Sequence, residues 1–142
     1  MIHGVGVDIV QLARIRHALE TYGERFLQRI YTPREIEHCE AAPDERIERY
    51  AARFAAKEAA FKAFRDAPAP EDAPPDATAP LDAPHGELGW QDLEVETDAS
   101  GAARLVLSAR AAEISSGLGV TRIHLSLSHT GVSASAIVVA EK

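Results

Sequence analysis

Between Asp66 and Gly86 the chain reads DAPAPEDAPPDATAPLDAPHG, with prolines at 68, 70, 74, 75, 80 and 84. Proline has no backbone donor and fixes φ, so neither a helix nor a sheet ladder can run through this stretch. The alanines and aspartates between the prolines add little apolar surface for a core. The segment at about 66–86 is therefore expected to be an extended, mobile loop inside a single domain spanning 1–142. The length of 142 residues suits one core.

Before the loop, MIHGVGVDIV is rich in β-branched residues and reads as a strand with Asp8 near its end. In QLARIRHALETYG, residues Leu12, Ile15 and Leu19 recur at helical spacing, and Gly23 closes the helix. ERFLQRIY continues as a short helix. TPREIEHCEA opens with a capping box, Thr32 at the cap, Pro33 in the first turn and Glu35 three residues after the threonine. DERIERYAARFAAKEAAFKAF is a long helix, expected to be capped by Asp44. After the loop, WQDLEVET, a DASG turn and ARLVLS form a hairpin signature. A short helix capped by Ser108 follows, and two strands flank His129-Thr130-Gly131.

The formal net charge of −7 argues against nonspecific nucleic-acid binding. The one cysteine, Cys39, excludes a disulfide within the chain and a multi-cysteine metal site. His85 has no partner at metal-ligand spacing either. The amino terminus lacks a basic segment followed by a long apolar run, so no signal peptide is read, and no apolar stretch approaches the ~20 residues that span a bilayer. The expected location is the cytoplasm.

Successive helical residues turn by about 100°. Phe54, Glu58 and Lys62 then share one stripe, flanked by Phe61 and Arg65. Glu58 and Lys62 fit an ordinary surface pair worth about 0.3 kcal/mol, or a carboxylate and a cation presented to a ligand. A lone acid ending an apolar strand, such as Asp8, is more often a turn former or helix cap than a ligand. The glycines of GVGVD do not make a dinucleotide fingerprint, which needs a third glycine and a helix start. If Asp8 and Glu58 meet in space, they form a hard-oxygen site of the kind Mg²⁺ shares with phosphate oxygens. His129 is either a turn residue or, with the hydroxyls of Ser128 and Thr130, a phosphate contact. Ser126 or Ser128 with His129 gives only a weak hydrolase signal, because the G-x-S-x-G elbow is missing.

GVGVDIVQLARI, RFAAKEAAFKAF and LSLSHT, in this order and spacing, resemble the small bacterial holo-acyl-carrier-protein synthases, a family of 4′-phosphopantetheinyl transferases. The resemblance covers nearly the whole chain. It implies an α+β fold, a small antiparallel sheet packed on a long helix, and a homotrimer with active sites shared between subunits. The reaction it implies moves phosphopantetheine from the co-substrate coenzyme A to a serine hydroxyl of an apo acyl carrier protein, in fatty acid biosynthesis, and 3′,5′-ADP leaves. By motif, Asp8 and Glu58 become Mg²⁺ ligands. Glu58, directly or through a metal-bound water, becomes the candidate base. Lys62 becomes a catalytic phosphate contact, and Arg53, Lys57, Ser128, His129 and Thr130 map near the nucleotide and its phosphates.

An acidic carrier requires a local basic patch on an acidic enzyme. Arg14, Arg16, Arg25, Arg29 and Arg34 supply one against Glu20 and Glu24 in the same window, with Arg14 and Arg25 as the carrier-binding candidates. The proline-rich segment departs from the resemblance, since it stands where relatives carry a short glycine-rich coenzyme A contact. Two rival readings belong to other classes: a non-catalytic homologue that binds carrier or coenzyme A, and a generic Mg²⁺-dependent phosphohydrolase. Neither nucleic acid nor membrane is an expected partner.

Overall fold

The computed structural model describes residues 1–65 and 88–142; the proline-rich stretch expected to be a loop lies outside them. Strand β1 (Ile2–Gln11) leads into helices α1 (Leu12–Tyr22), α2 (Glu24–Ile30) and α3 (Pro33–Glu40). A 3₁₀ turn (Pro43–Glu45) opens the long helix α4 (Arg46–Phe64). A second 3₁₀ turn (Trp90–Asp92) precedes the hairpin β2 (Leu93–Thr97) and β3 (Ala103–Leu107), and α5 (Ala109–Gly117), β4 (Arg122–His129) and β5 (Ser133–Glu141) complete the order. The main sheet is antiparallel, in the order β1-β5-β4, and β2-β3 form a separate two-stranded sheet. This is the expected α+β arrangement.

The helix ends follow their local chemistry. Gly23 takes φ 57° between α1 and α2, a left-handed value that suits glycine. The capping box of α3 forms in full: the Glu35 amide donates to Thr32 Oγ1 and the Thr32 amide donates to Glu35 Oε1. Ser108 caps α5 by accepting from the Ala111 amide. The start of α4 differs from expectation. Asp44 sits inside the 3₁₀ turn, the helix begins at Arg46, and its N-cap residue Glu45 makes no side-chain cap bond. The tight turn after Pro43 occupies the residues that a capping aspartate would need.

Helix α4 crosses the inner face of the main sheet at short range because small residues line both sides. On β1 and β5 the inward positions include Gly4, Gly6, Ala134, Ala136, Val138 and Ala140, and on α4 nearly every residue from Tyr50 to Phe61 is buried. A Cβ on Gly6 would lie 1.7 Å from the Ala59 carbonyl oxygen, and one on Gly4 would lie 2.1 Å from that of Ala63. Only glycine allows this strand and helix to touch backbone to backbone. The far side of α4 is sealed by aromatic rings: Trp90 stacks on Phe54 at 5.2 Å and takes the edge of Phe61 at 5.1 Å.

Candidate active site

The β1–α4 crossing brings together residues fifty positions apart in the chain. Asp8 follows Gly4 and Gly6 on the inward face of β1, and Glu58 and Lys62 stand beside the backbone contacts at Ala59 and Ala63. Lys62 Nζ donates to the Val7 carbonyl at 2.9 Å and to Asp8 Oδ1 at 3.2 Å. The expected stripe on α4 is therefore real, but Lys62 reaches across to the strand. Burial raises the Asp8 carboxyl above its ordinary value; the Lys62 ammonium opposes this, the Glu58 charge adds to it, and Arg14 lowers it. Asp8, Glu58, Lys62 and Arg14 thus share one electrostatic neighbourhood.

This donor set fits a hard divalent cation. Mg²⁺ takes one or two carboxylates and completes its shell with water and phosphate oxygens. Two carboxylates that repel each other in a partly buried setting would be relieved by it. No cluster of three or more metal-binding side chains occurs among the described residues, and none is needed for an ion of this kind.

A cleft of about 620 Å³ opens between the first half of α4, the β2–β3 turn and the end of β4. His38, Arg49, Arg53, Thr97, His129 and Thr130 are among its lining residues. Arg53 is 3 % exposed, and its Nε has no hydrogen-bond partner among the described residues. Its Nη1 makes only a long contact, 3.5 Å, to the Arg49 carbonyl. A buried guanidinium with an unused donor is suited to an anion. Burial lowers the His38 imidazole below its ordinary value, and Arg53 and Arg49 push it the same way. Thr130 Oγ1 accepts from the Val132 and Ser133 amides, which shapes the β4–β5 turn. Ser128 does not line the cleft. Strand alternation puts it with His124 and Ser126 on the opposite face, paired with Ser135.

Lys57 requires a correction. It was expected near the nucleotide phosphates, yet its side chain is wholly buried. Its ammonium lies 2.7 Å from Glu35 Oε1, 2.9 Å from the Ile30 and Trp90 carbonyls, and 2.8 Å from the Leu93 carbonyl. Three ammonium donors facing four oxygens leave none for a phosphate. Burial pulls this ammonium below its ordinary value, and the Glu35 charge opposes the pull.

Arg14, Arg16, Arg25, Arg29 and Arg34 are all exposed along α1 to α3, as a docking patch requires. Arg14 also lies over the Phe54 ring, 5.7 Å from its centroid, and its charge acts on the Asp8 carboxyl. His38, Arg49 and Thr97 were not singled out from the sequence. They come from three separate elements and form no motif, so only the fold collects them.

Comparison with known proteins gives a consistent answer. Residues 4–128 match the model of a family described as the 4′-phosphopantetheinyl transferase superfamily. The holo-[acyl-carrier-protein] synthase of Koribacter versatilis is 41% identical over 141 residues, covering 99% of each chain. A crystal structure of the holo-[acyl-carrier-protein] synthase from Neisseria meningitidis superposes with a TM-score of 0.81 at 30% identity, covering 100% of both chains. The Bacillus anthracis holo-(acyl-carrier-protein) synthase, solved in complex with CoA (3′,5′-ADP), superposes with a TM-score of 0.70 at 31% identity, covering 99% of this chain and 96% of that one.

Proposed function

Because this chain belongs to the 4′-phosphopantetheinyl transferase superfamily, among its holo-[acyl-carrier-protein] synthases, we propose that it transfers 4′-phosphopantetheine from coenzyme A to a serine hydroxyl of an apo acyl carrier protein, releasing 3′,5′-ADP. The observation that carries this reading is the meeting of Asp8, Glu58 and Lys62 where β1 crosses α4. The carrier belongs to fatty acid biosynthesis and the setting is the cytoplasm. Among the described residues no helix is long and apolar enough to cross a membrane.

In the proposed mechanism Asp8 and Glu58 would hold Mg²⁺, which when bound would offset negative charge on the phosphate oxygens. Lys62, steered by the Val7 carbonyl and Asp8, places its ammonium against the same charge. Arg53 and His129 in the cleft receive coenzyme A phosphate, supported by the unused Arg53 donor. The serine oxygen forms a bond to the transferred phosphorus, and the bond from that phosphorus to the oxygen of 3′,5′-ADP breaks. The leaving group carries that electron pair away, and the serine proton passes to Glu58, the candidate base. Arg14 and Arg25 draw the acidic carrier to the site.

We also propose a homotrimer. Val5, Val7 and Ile9 on the outer face of β1 are 53%, 62% and 69% exposed, and Ile137 of β5 continues that face. An apolar strand face left exposed by the described residues suits further copies of the chain. Sedimentation at micromolar concentration tests this: a trimer is expected, and a monomer at all concentrations would contradict it. The transfer itself is tested by incubating the protein with coenzyme A, Mg²⁺ and an apo carrier, then weighing the carrier. A gain of one phosphopantetheinyl group is expected. An unchanged carrier would overturn the reading, and free phosphate without carrier modification would point to a phosphohydrolase.

A further inference from the structure

Lys57 and Glu35 form the most buried ion pair described, and the transfer chemistry uses neither. Among the described residues the β2–β3 hairpin, one wall of the cleft, has no ladder to the main sheet. Its seat on α4 must come from elsewhere. The free-edge amide of Val95 donates to Glu35 Oε2 at 3.0 Å, and the Leu93 and Trp90 carbonyls accept from Lys57 Nζ at 2.8 and 2.9 Å. Leu93 and Val95 also bury their side chains in the core, but the other polar links across this seam are weaker. Arg34 reaches Glu96 and Glu94 with a side chain that is 76% exposed, and Thr97 Oγ1 is 3.3 Å from His38 Nε2.

We infer that Glu35 and Lys57 are a positioning pair that hangs the β2–β3 hairpin on α4 and so fixes the width of the cleft for coenzyme A. The inference rests on the reading of the cleft given under Proposed function. Both walls start from this tether. Arg53 stands four residues before Lys57, about 6 Å along the helix and on the same face. Thr97 stands two residues after Val95, about 7 Å along the strand and on the same side. A shift of the tether therefore changes the separation of Arg53 from Thr97 and the turn beyond it. The carboxylates and Lys62 at the β1–α4 crossing lie on another face of the helix, anchored by β1.

The test is steady-state kinetics on Lys57→Met/Glu35→Gln, which removes both charges and keeps a side-chain acceptor for the Thr32 or Val95 amide. With circular dichroism native, the KM for coenzyme A is expected to rise about tenfold or more, while kcat at saturation and the KM for the carrier change little. Glu35→Gln alone keeps one oxygen in reach of Lys57, whose bonds to the Trp90 and Leu93 carbonyls remain, but turns an NH2 toward the Val95 amide, so it is expected to restore only part of the coenzyme A affinity. A folded double variant with an unaltered coenzyme A KM, or with losses spread equally over both substrates, would overturn the inference. If the double variant does not fold, hydrogen exchange on the wild-type protein decides. Coenzyme A is expected to slow exchange of the Val95 amide, and an unchanged rate in a protein that binds coenzyme A would overturn the inference. Failure of the wild-type protein to bind coenzyme A at all would instead sink the transfer reading.

Discussion

Replacing Gly6 with alanine should damage the active site without touching any polar group in it. The new Cβ would lie 1.7 Å from the Ala59 carbonyl oxygen, 2.7 Å from its carbon and 2.9 Å from the Ala63 amide nitrogen. Ordinary contact begins at 3.4 Å, so strand and helix must separate by roughly half that distance. Overpacking commonly costs about 1–3 kcal/mol. Here the obstacle is backbone with no rotamer to change, so a loss of ~3 kcal/mol or more is expected, a large share of a total stability of about 5–15 kcal/mol. Separation on this scale also breaks the bonds from Lys62 to Val7 and Asp8. A displacement of about 1 Å in a reacting group can cost on the order of a hundredfold in rate. Urea unfolding and carrier modification followed by mass are the assays. Gly117→Ala is the control, because none of the described residues lies within 4 Å of a Cβ there and its φ is ordinary. Wild-type stability and transfer rate in Gly6→Ala would refute the claim that backbone contact sets the geometry of this site.

Arg14→Glu should raise the apparent KM for the carrier and leave that for coenzyme A little changed; added salt should mimic part of the effect, since the Debye length is ~8 Å at 0.15 M, and weakened coenzyme A binding alone would show that the patch is misassigned. Burial would raise the Glu40 carboxyl, but hydrogen bonds from Arg46 and Tyr50 and the Arg46 charge outweigh it and hold it below its ordinary 4.5. Its contribution to stability is therefore present above pH 4.5 and lost as pH falls through the lower folded value. With the side chain 41% exposed, Glu40→Gln should cost ~0.5–1 kcal/mol at neutral pH and nothing in strong acid, as read from urea midpoints; an equal loss at both would contradict this. Replacing Ala67–Ala83 with a short Gly-Ser linker should leave a folded enzyme that still modifies at least one carrier, because the composition of that segment cannot build a core. A folded variant inactive at saturating coenzyme A would make the segment part of the catalytic machinery.

The element order was legible because its signals are local. The Thr32–Glu35 capping box, Gly23 at a helix end and the DASG turn each specify backbone geometry within a few residues. The resemblance led to the expectation that Asp8 and Glu58 meet, but the bond from Lys62 to Asp8 was not foreseen, and the glycines that bring strand and helix this close lie two and four residues before Asp8. Lys57 was misread because its charge was taken as a sign of solvent or ligand, although Phe54 three residues before it and Phe61 and Phe64 four and seven after it place it on the buried aromatic stripe of α4. Its partner Glu35 looked complete as a capping-box residue, and nothing local showed that the same carboxylate also holds a lysine and the Val95 amide. The cleft of His38, Arg49 and Thr97 depends on long-range packing alone.

If the carboxylates of Asp8 and Glu58 hold the divalent cation for phosphopantetheine transfer, removing either must cripple turnover. The most direct measurement is the rate of carrier mass gain against Mg²⁺ concentration for the wild-type protein, Asp8→Ala and Glu58→Ala. Neither side chain belongs to the apolar core, so both variants should keep native circular dichroism. Each should lose transfer by orders of magnitude, with the deficit largest where Mg²⁺ is limiting. Near-normal rates in either folded variant at limiting Mg²⁺ would contradict the account.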